Sequence, residues 1–545
     1  MSIDLIQLMI AGGLGLFAFA LTTFRWLRVA QREHYIAPWV TIIAGYWARG
    51  LNLALYIIAL ALIVAALVGE VIGTEVIGTE VIGTEVIGTE VIGTENVDLR
   101  WAAIVAIALL IALPLGLGVR GRTGALNWTA RLRRLLAVWL VLFAAAAGIL
   151  TVLLGVVGIA IPLLLGPLLI DLALVILKPI EKRLSRRYLI SARKRLTQVR
   201  PKVVAITGSY GKTSTKGYVA HLLGTAFSVV ASPASFNNLM GLSRAVNERV
   251  VPGTEVFVAE MGVYGQGEIR ELSESFPPDI AAITTIGEAH LARMGSRDVI
   301  FKAKSEITEK AGTVVLPIDD PLLLGLAEKC RAAGKRVITV STDAAHAEPS
   351  INPAADVVVA NDTVTVQLRG EPVQSAPVTI PNVGHAVNLA VAVGIATALG
   401  VPLSQLAPRL AALPDAPHRA EVQQSASGVL IIDDTYNSNP VGAARAVQGA
   451  AELASVRGGP LVVVTPGMVE LGTVQRDRNR AFAAQVLNTG GTLFAIGRTN
   501  RAALRFGAPN ARLFARRELA VAAALDQAGD RGVILYENDL PDHYP

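Results

Sequence analysis

One cysteine, Cys330, stands in 545 residues. No internal disulfide can form, and a reducing cytoplasm suits the soluble part of the chain. Aromatic residues supply only 5% of the sequence and charged residues 17%. No zinc-finger spacing and no interleaving of aromatic with basic residues is present, so nucleic acid is excluded as a partner despite a net charge of +6. The arginines and lysines crowd instead at the ends of apolar segments, where membrane orientation signals belong. Apolar residues are in excess, at 52%, and almost all of that excess lies before residue 178.

Apolar runs occupy residues 5–24, 51–68, 101–119, 135–153 and 157–177, the last two divided by the glycines and Pro162 of GVVGIAIPLLLG. A spanning helix needs ~20 apolar residues, so residues 1–178 read as a multi-pass α-helical membrane domain with five spans. Arg25, Arg28, Arg32 and Arg49 follow the first run, and Arg120, Arg122, Arg131, Arg133 and Arg134 follow the third. KPIEKRLSRRYLISARKR follows the fifth and opens a basic linker, 179–197. Basic loops stay inside, which places the N-terminus outside the membrane and the remainder of the chain in the cytoplasm. The first run has no basic n-region and no small-residue cleavage site, and reads as an anchor. Between the second and third runs, VIGTE is written five times over residues 71–95. A period of five fits neither helix nor alternating strand, and every unit carries a glycine and a glutamate. The repeat is expected to be a passive, unpacked insert on the outer face. Asp171 is the one carboxylate inside an apolar run; intramembrane acids are functional candidates, but a position about two turns from Lys178 favours a plain reach to the interface.

From residue 201 short β-rich runs alternate with helical stretches. KVVAITGSYGKTSTKGYVAHLL reads as strand, glycine loop and helix, a unit that aims backbone N–H groups and the helix's positive end at phosphate. Gly208 and Gly211 permit close approach, Lys212 supplies charge for the β/γ-phosphates, and the Thr213 hydroxyl suits Mg²⁺. VFVAEMGVYGQGEI and IAAITTIGEAHLARMGS are strands that end at Glu260 and near His290. Strand C-termini gather at the ligand crevice of a doubly wound sheet, which would bring both residues toward the same metal.

These segments resemble the Mur ligases, ATP-dependent amide-forming enzymes of cell-wall precursor synthesis. TGSYGKTS is similar to their shortened phosphate loop, SFNNLMGLS to their Asn-Asn-x-x-Gly segment, and AEMGVYGQGEI to their Glu-Met-Gly stretch. IGEAHLARMGSRDVIFKAKSEI, APHRAEV, IDDTYNSNP and PGMVELG follow in the family's order. The branch most resembled is that of the UDP-N-acetylmuramoyl-tripeptide–D-alanyl-D-alanine ligases. The likeness implies an α/β P-loop central domain over 198–414 and a Rossmann-like α/β C-terminal domain over 415–545. It implies that Gly208, Ser209, Gly211, Lys212, Thr213 and Ser214 hold ATP, with Asn388 beside the adenine, Arg419 on the γ-phosphate and Asp434 on the ribose. Lys212, Glu260, His290 and Lys304 become the catalytic set. Thr213, Glu260, His290 and Lys304 hold two Mg²⁺ ions, with Lys304 as a carbamate; with Lys302 also present, the alternative for Lys304 is an ordinary solvated helix lysine. Asn237, Asn238, Asn437 and Asn439 become substrate contacts.

The implied chemistry is activation of an acceptor carboxylate as an acyl phosphate and capture by an amino acid or dipeptide. Three departures from the family pattern stand out. Residues 179–200 are too few for a domain that recognises a soluble UDP-sugar, so an acceptor presented at the membrane, on a lipid carrier, is expected. NVGHAVN places Gly384 and His385 where the family has His-Asn, and VILYENDLPDHYP stands where it has a Lys-Gly-Ser-type loop near the incoming amine. A poly-γ-glutamate-type ligase is the alternative among enzymes. A transporter driven by an ATPase would carry a full-length phosphate loop and a Leu-Ser-Gly-Gly signature, and the sequence has neither.

Overall fold

The computed structural model describes residues 3–79, 100–119, 126–233, 236–348, 353–379, 386–414, 421–435, 438–540 and 543–545. The chain divides into two compact units, Met1–Arg183 with Pro541–Pro545, and Leu184–Leu540.

In the first unit three helices are long and apolar enough to cross a membrane: Leu5–Arg32, Leu51–Val68 and Ala130–Leu154. The run at 101–119 yields only the helix Arg100–Ala112. It stops because Pro114 cannot donate to a helical ladder and turns the residue before it away from the α conformation. The run at 157–177 is divided into Val157–Leu164 and Gly166–Val199, bent by 65°. Five spans were expected from hydropathy; among the described residues, three helices meet the length and composition of a span, or four with the bent pair taken as one. Helix Leu51–Thr79 also continues into the second VIGTE copy, where unpacked chain was expected, since extending a helix costs far less than nucleating one. The later copies lie outside the described residues.

Asp171 is buried and caps a helix that is not its own. Its carboxylate accepts from the Thr41 amide at 2.8 Å and the Thr41 hydroxyl at 2.6 Å, at the start of helix Trp39–Trp47. A carboxylate at a helix N-terminus satisfies amides that have no partner within the helix. This is a structural role, and not the reach to the interface expected above. The end of the chain packs in the same unit. His543 Nε2 lies 2.8 Å from Glu33 Oε1 with both side chains buried, its carbonyl accepts from Trp47 Nε1 at 2.8 Å, and Tyr544 stacks on Tyr46.

The second unit holds two sheets. In the first, β1 (Lys202–Thr207), β2 (Val229–Ala231), β3 (Val256–Glu260), β4 (Ile280–Ile283), β5 (Thr313–Pro317), β6 (Arg336–Ser341), β7 (Val357–Ala360), β8 (Thr363–Val366) and β9 (Gln374–Pro377) lie in the order β2-β3-β1-β4-β5-β6-β7-β8-β9. The first seven are parallel, and β7-β8-β9 is an antiparallel meander. Side chains alternate across β1 as the strand period requires. Val204 and Ile206 pack with Tyr218, Val219 and Leu222 of helix Lys212–Leu223 and with Leu389 and Val391 of helix Ala386–Ala398. Val203 and Ala205 join Phe257, Leu242, Val246 and Ile300 on the opposite face. Covering both faces explains the unbroken apolar runs in these strands.

The second sheet contains β10 (Glu421–Gln424), β11 (Leu430–Asp434), β12 (Leu461–Thr465), β13 (Thr492–Ile496), β14 (Arg512–Phe514) and β15 (Val533–Glu537), in the order β10-β11-β15-β12-β13-β14. Only β10 runs antiparallel to its neighbour. In the first sheet β1 pairs with β3 on one side and β4 on the other, so the chain reverses direction across the sheet at β1. A crevice opens at the C-terminal ends of strands beside such a point.

Candidate active site

The loop from Gly208 to Gly211 leaves β1 at that crevice. Gly211 (φ 81°) has a left-handed backbone. A Cβ there would fall 1.9 Å from Asn388 Oδ1, so conformation and space both require glycine. The loop is stitched to the segment that follows β4. Ser209 N donates to Thr285 O at 2.8 Å, Gly287 N donates to Ser209 Oγ at 2.9 Å, and the Thr284 hydroxyl donates to the Tyr210 carbonyl. Helix Lys212–Leu223 begins immediately after, with its N-terminal amides at the loop.

Two lysines reach one backbone oxygen. Lys212 Nζ donates to Gly208 O at 2.7 Å and Lys304 Nζ to the same oxygen at 3.0 Å. Lys304 is fully buried, and burial together with the neighbouring Lys212 charge holds its amine well below the usual lysine range. Lys302, two residues away, is exposed. Beneath the loop, Glu260 at the end of β3 accepts from the Thr213 hydroxyl at 3.0 Å and from Lys216 Nζ at 2.8 Å. Burial works against its charge, but Lys216 and Lys212 outweigh it and the carboxyl lies below its ordinary value. Among the described residues, Ser214 Oγ and Asn388 Oδ1 are buried polar atoms with no hydrogen-bond partner. The Ser214 hydroxyl can donate to a ligand oxygen beside the glycine loop, whereas Asn388 Oδ1 only accepts and suits a ligand N–H or O–H.

Thr213 and Glu260 are hard oxygen donors 3.0 Å apart. Mg²⁺ takes one or two carboxylates plus phosphate oxygens and water, so this pair fits one ion. Among the described residues no group of three or more His, Cys, Asp or Glu is placed to hold a metal. His290 lies at the same end of the sheet, with its Nδ1 2.6 Å from Glu470 Oε2 and its ring edge-on to Tyr264.

The remaining expected site residues separate clearly. Asn238 and Asn439 cap helices, accepting from Gly241 N at 2.9 Å and Gly442 N at 2.8 Å. Asn237 packs its side chain on Gly262, whose amide donates to the Asn237 carbonyl at 2.7 Å. Asp434 ends β11 beside Glu537, which lies in VILYENDLPDHYP, the segment that departs from the family pattern. Burial, with the Asp434 charge adding to it, raises the Glu537 carboxyl to about 7 against hydrogen bonds from Ser438 and Thr465. Arg419, Asn437, Gly384 and His385 lie outside the described residues.

Sequence reasoning missed Lys216, Tyr210, Glu288, Glu470 and Arg478. Lys216 had a signal: it stands three and four residues after Thr213 and Lys212, on one face of their helix. Glu470 lies in PGMVELG, but its contact with His290 joins positions 180 residues apart, and no local pattern announces that.

Two domain models match the chain, the Mur ligase middle domain over residues 206–396 and the Mur ligase, glutamate ligase domain over 418–536. The UDP-N-acetylmuramoyl-tripeptide–D-alanyl-D-alanine ligase of Mycobacterium leprae is 34% identical over 266 residues, which are 46% of this chain and 50% of that protein. Its namesake in Bacillus subtilis is 31% identical over 295 residues, 53% of this chain and 61% of that one. The chain thus spans about half the length of the mycobacterial relative. The crystal structure of a MurF ligase from Thermotoga maritima in complex with ADP has the same fold, with a TM-score of 0.55 at 22% identity over 65% of this chain and 80% of that one. Both domain models match in order and together take in more than half of the residues, so this chain belongs to the Mur ligase family.

Proposed function

We propose that the protein is a membrane-anchored, ATP-dependent amide ligase acting on cell-wall precursors. The observation that carries this reading is the convergence of Lys212 and Lys304 on Gly208 O, above a Glu260 already engaged by Thr213. A neutral, buried lysine amine is the form that adds CO₂: the N–C bond forms, one N–H proton departs, and the resulting carbamate is an anion that could hold a second Mg²⁺. The Mg²⁺ ions, when bound, neutralise charge on the triphosphate. The loop amides and Lys212 orient the γ-phosphoryl group for an acceptor carboxylate oxygen. That oxygen bonds to phosphorus as ADP leaves, and the amine nitrogen then bonds to the carbonyl carbon as phosphate and a proton depart. Catalysis of this kind is positioning plus electrostatics, and Arg419 and Asp434 would join from the C-terminal domain on closure.

Three helices of spanning length bury only 28%, 22% and 17% of their most apolar windows. Leu16, Val152 and Leu153 are among the large apolar side chains left exposed on them, and apolar surface of that extent fits a lipid surrounding. This supports a multi-pass inner-membrane anchor with the ligase domains cytoplasmic and an acceptor carried on lipid. Relatives are named for a UDP-muramoyl tripeptide and D-alanyl-D-alanine, which makes a dipeptide the first amine to test. The full chain in lipid nanodiscs, given ATP, Mg²⁺ and D-alanyl-D-alanine, should release phosphate only with a muramoyl-peptide acceptor, and more with the lipid-linked than the UDP-linked form. Phosphate release independent of both acceptor and amine would refute a ligase. Equal use of the two acceptors would refute the lipid-linked assignment.

A further inference from the structure

The phosphate loop is wired to the C-terminal domain through one tyrosine. Tyr210, between Ser209 and Gly211, is clamped at both ends. Its carbonyl accepts from the Thr284 and Thr285 hydroxyls, and its Oη accepts from Glu288 N at 2.9 Å. Its ring fills the place a side chain on Gly287 would need, since a Cβ there would fall 2.3 Å from Tyr210 Cε2. Any displacement of the loop is thereby passed to residues 284–288. The Glu288 carboxylate in turn accepts a fork from Arg478, Nη2 to Oε1 at 2.5 Å and Nε to Oε2 at 2.9 Å. Arg478 lies on helix Gln475–Asn488. The neighbouring Asn479 fixes Met468 by two hydrogen bonds, at 2.8 and 2.9 Å, so this helix and the segment carrying Glu470 are held together. Glu470 grips the central domain a second time, through His290 and through Arg293 Nη2 at 3.4 Å.

We infer that Tyr210, Glu288 and Arg478 are positioning residues that couple occupation of the phosphate loop to seating of the C-terminal domain. This rests on the reading of the loop as a nucleotide site. Lys212 donates to the Gly208 carbonyl, and the oxygens of a bound phosphate would compete for its charge. The loop then shifts with Tyr210 attached, and the Glu288–Arg478 fork carries the change across the domain junction. By linkage, a group that seats the C-terminal domain must also tighten nucleotide binding.

The test is Mg²⁺–ADP affinity of the full chain in detergent, measured by calorimetry. The fork is half-exposed, so Arg478→Ala and Tyr210→Phe should each weaken binding by about two- to fivefold, and the double variant should be no worse than the weaker single one. Single reversals Glu288→Arg and Arg478→Glu should each weaken binding more than Arg478→Ala does, and the double reversal should return it to within about twofold of the parent. Additive losses, or a double reversal no better than its parts, would overturn the coupling. The half-exposed reversal pair decides the matter if Tyr210→Phe does not fold. A parent protein that fails to bind ADP would overturn both the coupling and the ligase reading, whereas binding without rescue overturns the coupling alone.

Discussion

Removing Lys216 should open the central domain without touching any residue assigned to ATP. Lys216 and Glu260 form an ion pair at 2.8 Å with side chains 7% and 4% exposed. Replacing Lys216 by methionine keeps the apolar stem and strands the Glu260 carboxylate with the Thr213 hydroxyl and the nearby Lys212 charge. Breaking a buried pair by deleting one partner costs about 3–5 kcal/mol, and the surviving partners point to the lower end. That corresponds to a roughly hundredfold or larger rise in the open population, at ~1.4 kcal/mol per factor of ten. The assay follows from composition. All six tryptophans precede residue 140, so tryptophan fluorescence is blind to this domain, whereas Cys330 is the sole cysteine and is buried in its core. Thiol labelling of Cys330 in urea, where the rate depends on denaturant, therefore reports global opening of this domain alone. Lys216→Met should label about a hundredfold faster, and Lys216→Met with Glu260→Gln should recover most of the difference because no charge is left stranded. A rise below about fivefold in the single variant, or no recovery in the double, would refute the claim that this pair holds the loop's foundation.

Gly211→Ala combines a left-handed backbone with a clash on Asn388. The strain alone costs about 1–2 kcal/mol, and ADP affinity by calorimetry should fall at least about tenfold with Cys330 still protected. Glu537→Gln should change how stability depends on pH. The folded carboxyl at about 7 against an ordinary 4.5 keeps its proton where the unfolded chain has lost it. Stability therefore falls as pH rises from about 5 to 8, by up to about 3 kcal/mol. The glutamine variant should melt at a temperature that varies less with pH, higher than the parent at pH 8 and similar at pH 5, as followed by circular dichroism; an unchanged slope would reject the assignment.

The strand, glycine loop and helix around Lys212 were legible because a phosphate loop is a local device whose parts are adjacent in sequence. Lys304 and Lys302 were harder to tell apart, since both lie in one helix, and only burial against Gly208 separates them. The contacts of Glu470 with His290 and of Arg478 with Glu288 join segments nearly two hundred residues apart, and no periodicity records such a pairing. In the first unit, hydropathy counted apolar runs correctly but could not see that Pro114 stops one helix early or that another bends beside Gly166. The VIGTE copies that continue helix Leu51–Thr79 show the same limit: their composition favours no regular element, and the helix already running into them decides.

The chain leaves its first unit after Arg183, yet residues 543–545 belong to that unit again: His543 is buried against Glu33 and Trp47, and half-buried Tyr544 stacks on Tyr46. The intervening 357 residues are thus tied to the first unit at both of their ends. After a single cut near residue 184, the contacts of His543 and Tyr544 would still hold the severed segment, and a second cut before His543, or loss of that histidine's berth, would release it.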